Sequence, residues 1–216
     1  MGIMLITTYN APALADTLIA VLGPDQATQT SQQHGDIVGI YGADGQAIGF
    51  NFFNLHQWLP DFDGNGAVVL TKAQRETLNQ AIQAAGLKGA LPLTSTPRIV
   101  IGKIVEFADH PDSDHLHVTK VDLGLEGVKQ IVCGAPNAAL GQTVVAALPG
   151  AMMPDGKLIW PGKLRGVDSY GMLCAARELA LPDAPQARGI LIMPDDLKAG
   201  TPFDFAQAAQ VVAMQA

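Results

Sequence analysis

The densest run of chemically capable side chains is Asp109-His110-Pro111-Asp112-Ser113-Asp114-His115-Leu116-His117, which alternates histidine with carboxylate. Such residues could ligate a metal. Zinc sites, however, draw spaced ligands from two elements, and calcium loops need a glycine bend with a distal glutamate. Neither pattern is met. Asp and Pro after a strand are ordinary turn chemistry, so the run reads as a structural loop and no metal is expected. Cys133 and Cys174 sit in the apolar runs Ile131-Val132-Cys133 and Met172-Leu173-Cys174. With no adjoining base to lower a thiol pKa, both read as small core hydrophobes. Glycines are frequent, yet none falls in a phosphate-cradling pattern. No nucleophile elbow, zinc-protease helix or paired-carboxylate helix occurs, so no catalytic residue and no cofactor is expected.

One stretch differs, Lys163-Leu164-Arg165-Gly166-Val167-Asp168-Ser169-Tyr170-Gly171-Met172-Leu173-Cys174-Ala175-Ala176. Two cations precede a glycine bend, a hydroxyl and an aromatic ring, and an apolar run then anchors the whole. Small barrels bind nucleic acid with such a basic groove plus stacking and hydrogen-bonding side chains. A solvated turn with two stray charges is the competing reading, and the pattern does not choose between them. The formal net charge of −7 argues against a bulk electrostatic grip on nucleic acid. The charge is nevertheless uneven. Residues 104–127 carry six carboxylates against Lys120, whereas Lys157, Lys163, Arg165 and Arg177 face Asp168 alone between residues 157 and 177. A ligand phosphate within a Debye length responds to the local patch.

The elements that must hold these residues follow from the pattern. A chain of 216 residues, 48% hydrophobic and 15% charged, is one large domain or two small ones with a sizeable core. The longest apolar stretch, Val144 to Met153, is interrupted by Pro149 and Gly150, which predicts no membrane span. The first residues lack a basic start and a long apolar run, so no signal peptide is expected. Two cysteines suit a reducing compartment, and the expectation is a soluble cytoplasmic protein. The segment Gly89 to Pro97 reads as a connector. Upstream, Met4–Tyr9 predicts a strand, Pro12–Leu22 an amphipathic helix, and Ile37–Tyr41 with Ala47–Phe53 a hairpin around a Gly/Asp turn. Ala67–Leu70 predicts a strand, and Lys72–Leu87 a helix opened by a Thr71/Gln74 capping box. Asn51–Asn54 and His56 are the sole hint of chemistry there, and they more simply form a strand and its exit. Downstream, Arg98–Phe107, Leu116–Leu123, Gln130–Ala135, Thr143–Leu148 and Leu164–Ala175 are five short strands with no long helix, which predicts a small barrel. A switch of apolar face between Val118 and Val121 suggests a bulge, and Gly189–Met193 reads as one more strand.

A family resemblance adds to this. The pieces Ile101-Gly102-Lys103-Ile104-Val105, His110 to Asp114, Ile131 to Asn137, Ala147 to Ala151, Lys163 to Cys174 and Gly189 to Asp196 together resemble a known domain. It is the tRNA-binding oligonucleotide-binding (OB) fold of the phenylalanyl-tRNA synthetase beta chain, also appended to bacterial methionyl-tRNA synthetases. His34 to Val38, Gly49 to Asn54 and Gly64 to Val68 resemble the N-terminal domain of stand-alone YtpR-type proteins. The resemblance implies a small α+β domain at residues 1–90, a linker at 91–97 and an all-β OB-fold barrel at 98–205. It implies a partner, tRNA or other structured RNA, and a face containing Lys163, Arg165, Ser169 and Met172, with Lys103 and Asn137 as further candidates. Tyr170 could stack on a base. Where the family often has a base after the loop aspartate, this chain has His115. Two readings therefore stand: a stand-alone tRNA-binding protein without catalysis, or a protein-interaction module on the same barrel with little RNA affinity. A homodimer through an exposed strand edge is compatible with either.

Overall fold

The structure is a computed structural model that describes residues 4–94 and 96–215; Met1 to Ile3, Ser95 of the connector and Ala216 lie outside them. The chain divides into two compact units, Met1–Thr96 and Pro97–Ala216.

The first unit contains β1 (Ile6–Tyr9), α1 (Ala11–Leu14), β2 (Thr17–Val21), β3 (Gln29–His34), β4 (Ile37–Gly42), β5 (Ala47–Phe53), β6 (Gly66–Val68) and α2 (Lys72–Ala84). Its antiparallel sheet runs in the order β3-β4-β5-β2-β1-β6. Leu18, Phe50 and Phe52 from the sheet and Leu78 and Ile82 from α2 share one core. The Thr71/Gln74 capping box forms in both directions, stopping the free amides of the first turn from competing for water. Arg75 is buried in α2 and donates to the carbonyls of Leu70 and Pro92. The helix expected over Pro12–Leu22 is instead one turn followed by a central strand. Ala15, at φ 52°, ends the turn. Thr17 to Val21 then pairs on both sides, with β1 and β5, and tertiary pairing overrides an amphipathic spacing too short to fix a helix. β3 escapes the sequence because all six residues are polar and exposed, so no apolar alternation marks it.

The second unit contains β7 (Ile99–Asp109), β8 (His117–Asp122), β9 (Val128–Cys133), β10 (Thr143–Ala147), β11 (Gly162–Leu164), β12 (Val167–Ser169), β13 (Met172–Leu173), β14 (Ile192–Met193) and α3 (Phe205–Gln215). The main sheet runs β13-β10-β7-β8-β9, with β14 also on β10. It curls into a nearly closed barrel, so the chain is an α+β unit followed by an OB-type barrel. β10 is buried on both faces. Val144 and Ala146 point into one core with Ile104, Val121 and Ile131, while Val145 and Ala147 face another with Cys174, Val211 and Val212. The second core exists because α3 covers the outside of β10. That helix, absent from the sequence expectation, is capped by Asp204, whose carboxylate accepts from the amides of Ala206 and Gln207.

The bulge lies on β7 rather than β8. Ile104 faces Val121 and Glu106 faces Lys120, which leaves Val105 as the extra residue. β8 keeps its alternation because buried Thr119 takes the inward place and donates to the Ile131 carbonyl at 2.7 Å. The bend lets one long strand pair with β10 at its start and β8 at its end. Among the described residues no helix is long and apolar enough to cross a membrane.

A Cβ on Gly102 would sit 2.6 Å from Val121 Cγ1. Gly102→Ala should therefore cost about 1–3 kcal/mol by overpacking. Urea unfolding read from Trp160 in a Trp58→Phe background checks this through a lower midpoint.

Candidate nucleic-acid interface

The cationic stretch folds as its own hairpin. β11 and β12 pair Gly162 with Ser169, Lys163 with Asp168 and Leu164 with Val167, so the expected single strand over Leu164–Ala175 is broken into β12, a Tyr170–Gly171 bend and β13. The turn is two residues, Arg165 at φ 44° and Gly166 at φ 84°. Positive φ at both positions is the type I′ geometry that matches strand twist. Glycine takes it freely; arginine takes it at some cost. The Arg165 guanidinium donates to the Asp112 carbonyl at 2.9 Å, which ties the turn to the β7–β8 loop. Buried His110 ties it a second time. Its Nδ1 accepts from the Asp112 amide and its Nε2 donates to the Leu164 carbonyl, both at 3.0 Å. The histidine- and carboxylate-rich run is thus a brace for the hairpin. His115 lies 2.8 Å from Asp114, and that contact holds the Asp114 carboxyl below its usual range.

The hairpin is sewn to β9. Ser169 Oγ accepts from the Val132 amide at 3.1 Å and donates to the Gly171 carbonyl at 3.2 Å. The Tyr170 amide donates to the Gln130 carbonyl at 2.8 Å, and Gln130 Nε2 donates to the Asp168 carbonyl at 2.7 Å. Ser169 is therefore buried, with its hydroxyl spent on the protein's own backbone. Asn137 is spent likewise, clamping the Ile190 peptide through its amide and carbonyl at 2.9 and 2.8 Å. Lys103 reaches Asp195 at 2.9 Å and Thr143 at 3.2 Å, away from any hairpin contact. Met172 is half-buried against the core. Lys163, Arg165 and exposed Tyr170 are the members that gather on the hairpin surface, and Lys163 lies 3.4 Å from Asp168.

Beside them is a groove of about 400 Å³ lined by Lys120, Val128, Lys129, Gln130, Asp168 and Tyr170. Lys120 and Lys129 meet no carboxylate among the described residues. The sequence reading missed both. Their signal was faint: Lys120 alternates with buried Thr119 and Val121, and Lys129 precedes the buried run of β9.

Residues 99–202 match a family model described as "Putative tRNA binding domain", and residues 24–93 match one described as a domain of unknown function. A Bacillus subtilis protein, "Putative tRNA-binding protein YtpR", is 41% identical over 199 residues, covering 91% of this chain and 98% of the relative. The chain belongs to the YtpR family. Its barrel is also similar to phenylalanine–tRNA ligase beta subunits. That of Latilactobacillus sakei is 41% identical over 136 residues, 61% of this chain and 16% of the subunit. That of Ralstonia nicotianae is 53% identical over 108 residues, 48% of this chain and 13% of the subunit. The chain thus spans less than a fifth of either synthetase subunit.

In this YtpR-family barrel the Ser169 stitch has a measurable value. Ser169→Ala leaves the Val132 N–H buried without its partner, which should cost about 1–3 kcal/mol. Amide exchange at Val132 should accelerate relative to the unaltered protein.

In the upstream unit a polar cluster surrounds His56. Its Nδ1 lies 2.7 Å from Asp16 Oδ1 and its Nε2 3.1 Å from the Phe62 carbonyl, while Tyr9 donates to the same aspartate at 3.0 Å. Both ring nitrogens face acceptors, an arrangement that the protonated imidazolium satisfies fully. The hydrogen bond to Asp16 raises the His56 pKa. Burial pushes Asp16 up, but its hydrogen bonds from the His56 amide and ring and from Tyr9 outweigh this and leave it lowered. The sign follows by linkage. The His56 contribution is full below about pH 6.5 and is lost as pH rises through its folded pKa. The Asp16 contribution is full above about pH 3.8 and is lost as pH falls through its folded pKa. A proton NMR titration should place the His56 midpoint above the ordinary histidine value, and Asp16→Asn should return it.

Proposed function

We propose that this chain is a free-standing tRNA-binding protein that recognises folded RNA through phosphate and shape contacts and performs no catalysis of its own. What carries the reading is the clustering of exposed Lys163, Arg165 and Tyr170 on the hairpin beside a groove lined by Tyr170, Lys120 and Lys129, neither of these lysines meeting a carboxylate within ion-pair distance among the described residues. That grouping lies on the face formed by the second and third strands of the barrel and the adjoining loop, where OB folds commonly hold oligonucleotides. Lysine and arginine supply phosphate contacts, and the tyrosine ring offers a stacking surface. The protein works in the cytoplasm and needs no cofactor. The name of the Bacillus subtilis relative supports tRNA as the RNA.

One observation favours the second reading, a protein-interaction module: Lys163 is already paired with Asp168 and Lys103 with Asp195. An RNA phosphate must compete with those carboxylates, which lowers affinity. Measured binding decides between the two.

The test is tRNA binding across a salt series, comparing the protein with the double variant Lys163→Gln, Arg165→Asn. Asparagine before glycine keeps the type I′ turn, so the variant removes charge without removing the hairpin. The log–log salt slope should shrink by about 2, one phosphate contact for each lost cation. Unchanged affinity and slope would remove this face from RNA recognition.

A further inference from the structure

On the other side of the hairpin lies a second cavity, of about 260 Å³. Leu164, Met172 and Cys133 form an apolar wall, and Arg177, Arg188 and Glu178 stand at its polar edge. The two guanidiniums differ electrostatically from Lys163 and Lys103. Arg177 donates to the carbonyls of Gln186 and Ala187, and Arg188 to the carbonyl of Gly134. Neither meets a carboxylate among the described residues. Carbonyl oxygens fix a guanidinium without neutralising it, so both keep their full charge and unused N–H groups for an anion.

Glu178 adds a second recognition element. Its Oε2 accepts from the Ala175 amide at 2.7 Å, which anchors the side chain and leaves Oε1 as a fixed acceptor. Burial raises the Cys133 pKa, so the wall is neutral thiol and hydrocarbon rather than thiolate. The cavity thus offers an apolar surface for a flat ring, an acceptor for a donor-bearing ring edge, and two cations for a phosphate. Met172 contributes a polarizable thioether, which favours contact with an aromatic ring.

We infer that this cavity takes one unstacked nucleotide of the bound RNA, its base against Met172 and Leu164 with its edge toward Glu178, and its phosphate on Arg177 and Arg188. This rests on the RNA-binding reading above and refines it. The cavity adjoins the turn of that hairpin: Leu164 pairs in it immediately before Arg165, and Met172 follows Tyr170 by two residues. A strand that passes over the turn comes within reach of the cavity wall at Leu164. Single-stranded or splayed bases are the parts of an RNA that proteins read on their edges. The class of ligand is therefore a nucleoside monophosphate unit with a donor on its base edge, guanosine monophosphate being the simplest probe.

The experiment is an NMR titration of the full chain, labelled at methionine methyl groups, with guanosine monophosphate and, separately, ribose 5-phosphate. The nucleotide should shift the Met172 methyl while the other methionines stay in place, and ribose 5-phosphate should bind far more weakly. Arg188→Ala should weaken nucleotide binding about tenfold, as expected for a lost charge-assisted hydrogen bond. Glu178→Gln keeps the Ala175 cap and should weaken the nucleotide severalfold while leaving ribose 5-phosphate unchanged. Equal binding of the two ligands would reduce the cavity to an anion site and overturn the inference, as would an unmoved Met172 methyl. The same samples are assayed with tRNA. Intact tRNA binding with a silent cavity overturns the inference alone; nucleotide binding without tRNA binding overturns the RNA reading instead.

Discussion

The stitch between β9 and Ser169-Tyr170 is the interaction on which the rest of the barrel unit depends. The main sheet is open between β9 and β13, and it is brought nearly to closure by the Val132 amide on Ser169 and the Tyr170 amide on Gln130. Buried amides have to find partners. Here the partners lie on the segment that also carries the cationic hairpin, so closing the barrel and aiming Lys163, Arg165 and Tyr170 are one event. His110, and the Asp112 carbonyl that accepts from Arg165, brace the same hairpin from the β7–β8 loop. A short two-stranded hairpin is marginal alone in water; this one is held on both flanks.

Electrostatics in this molecule depend on what holds each cation rather than on the total. A chain of net charge −7 repels RNA at long range, yet inside a Debye length the local arrangement counts. Lys163 and Lys103 each have a carboxylate partner, so an RNA phosphate has to compete for them. Arg165, Arg177 and Arg188 are held by backbone carbonyls, and their charge survives. Arginine suits this arrangement because its fork spreads several donors over a plane, and one can be spent on a carbonyl while others remain.

Some of this was legible and some was not, for physical reasons. The α2 cap and the β4–β5 hairpin were readable because capping and turn chemistry are local. β2 was misread because five residues carry too little periodicity to separate a strand from a helix turn, and its place between β1 and β5 is set by pairing partners far along the chain. Polar side chains that bond the protein's own backbone are the hardest to place from sequence. Thr119 looked like a break in the pattern, and Ser169 and Asn137 looked like surface donors. A hydroxyl or amide carries no mark of whether its partner is solvent, RNA or a buried backbone group. Lys163, Arg165 and Tyr170 could be grouped from the sequence because a cation pair, a glycine turn and an aromatic ring lie close together in it, and the hairpin keeps them on one surface. Arg177 and Glu178 meet Arg188 at a cavity whose apolar wall comes from the distant Cys133 and Leu164, and nothing local announces it.

The most direct test of the account is a hydrogen-exchange footprint of the full chain with and without tRNA. The hairpin at residues 162–170 and the strands at 117–133 should gain protection together, because the stitch makes them one surface. Protection confined to residues 4–94, or none in the barrel at saturating tRNA, would contradict it.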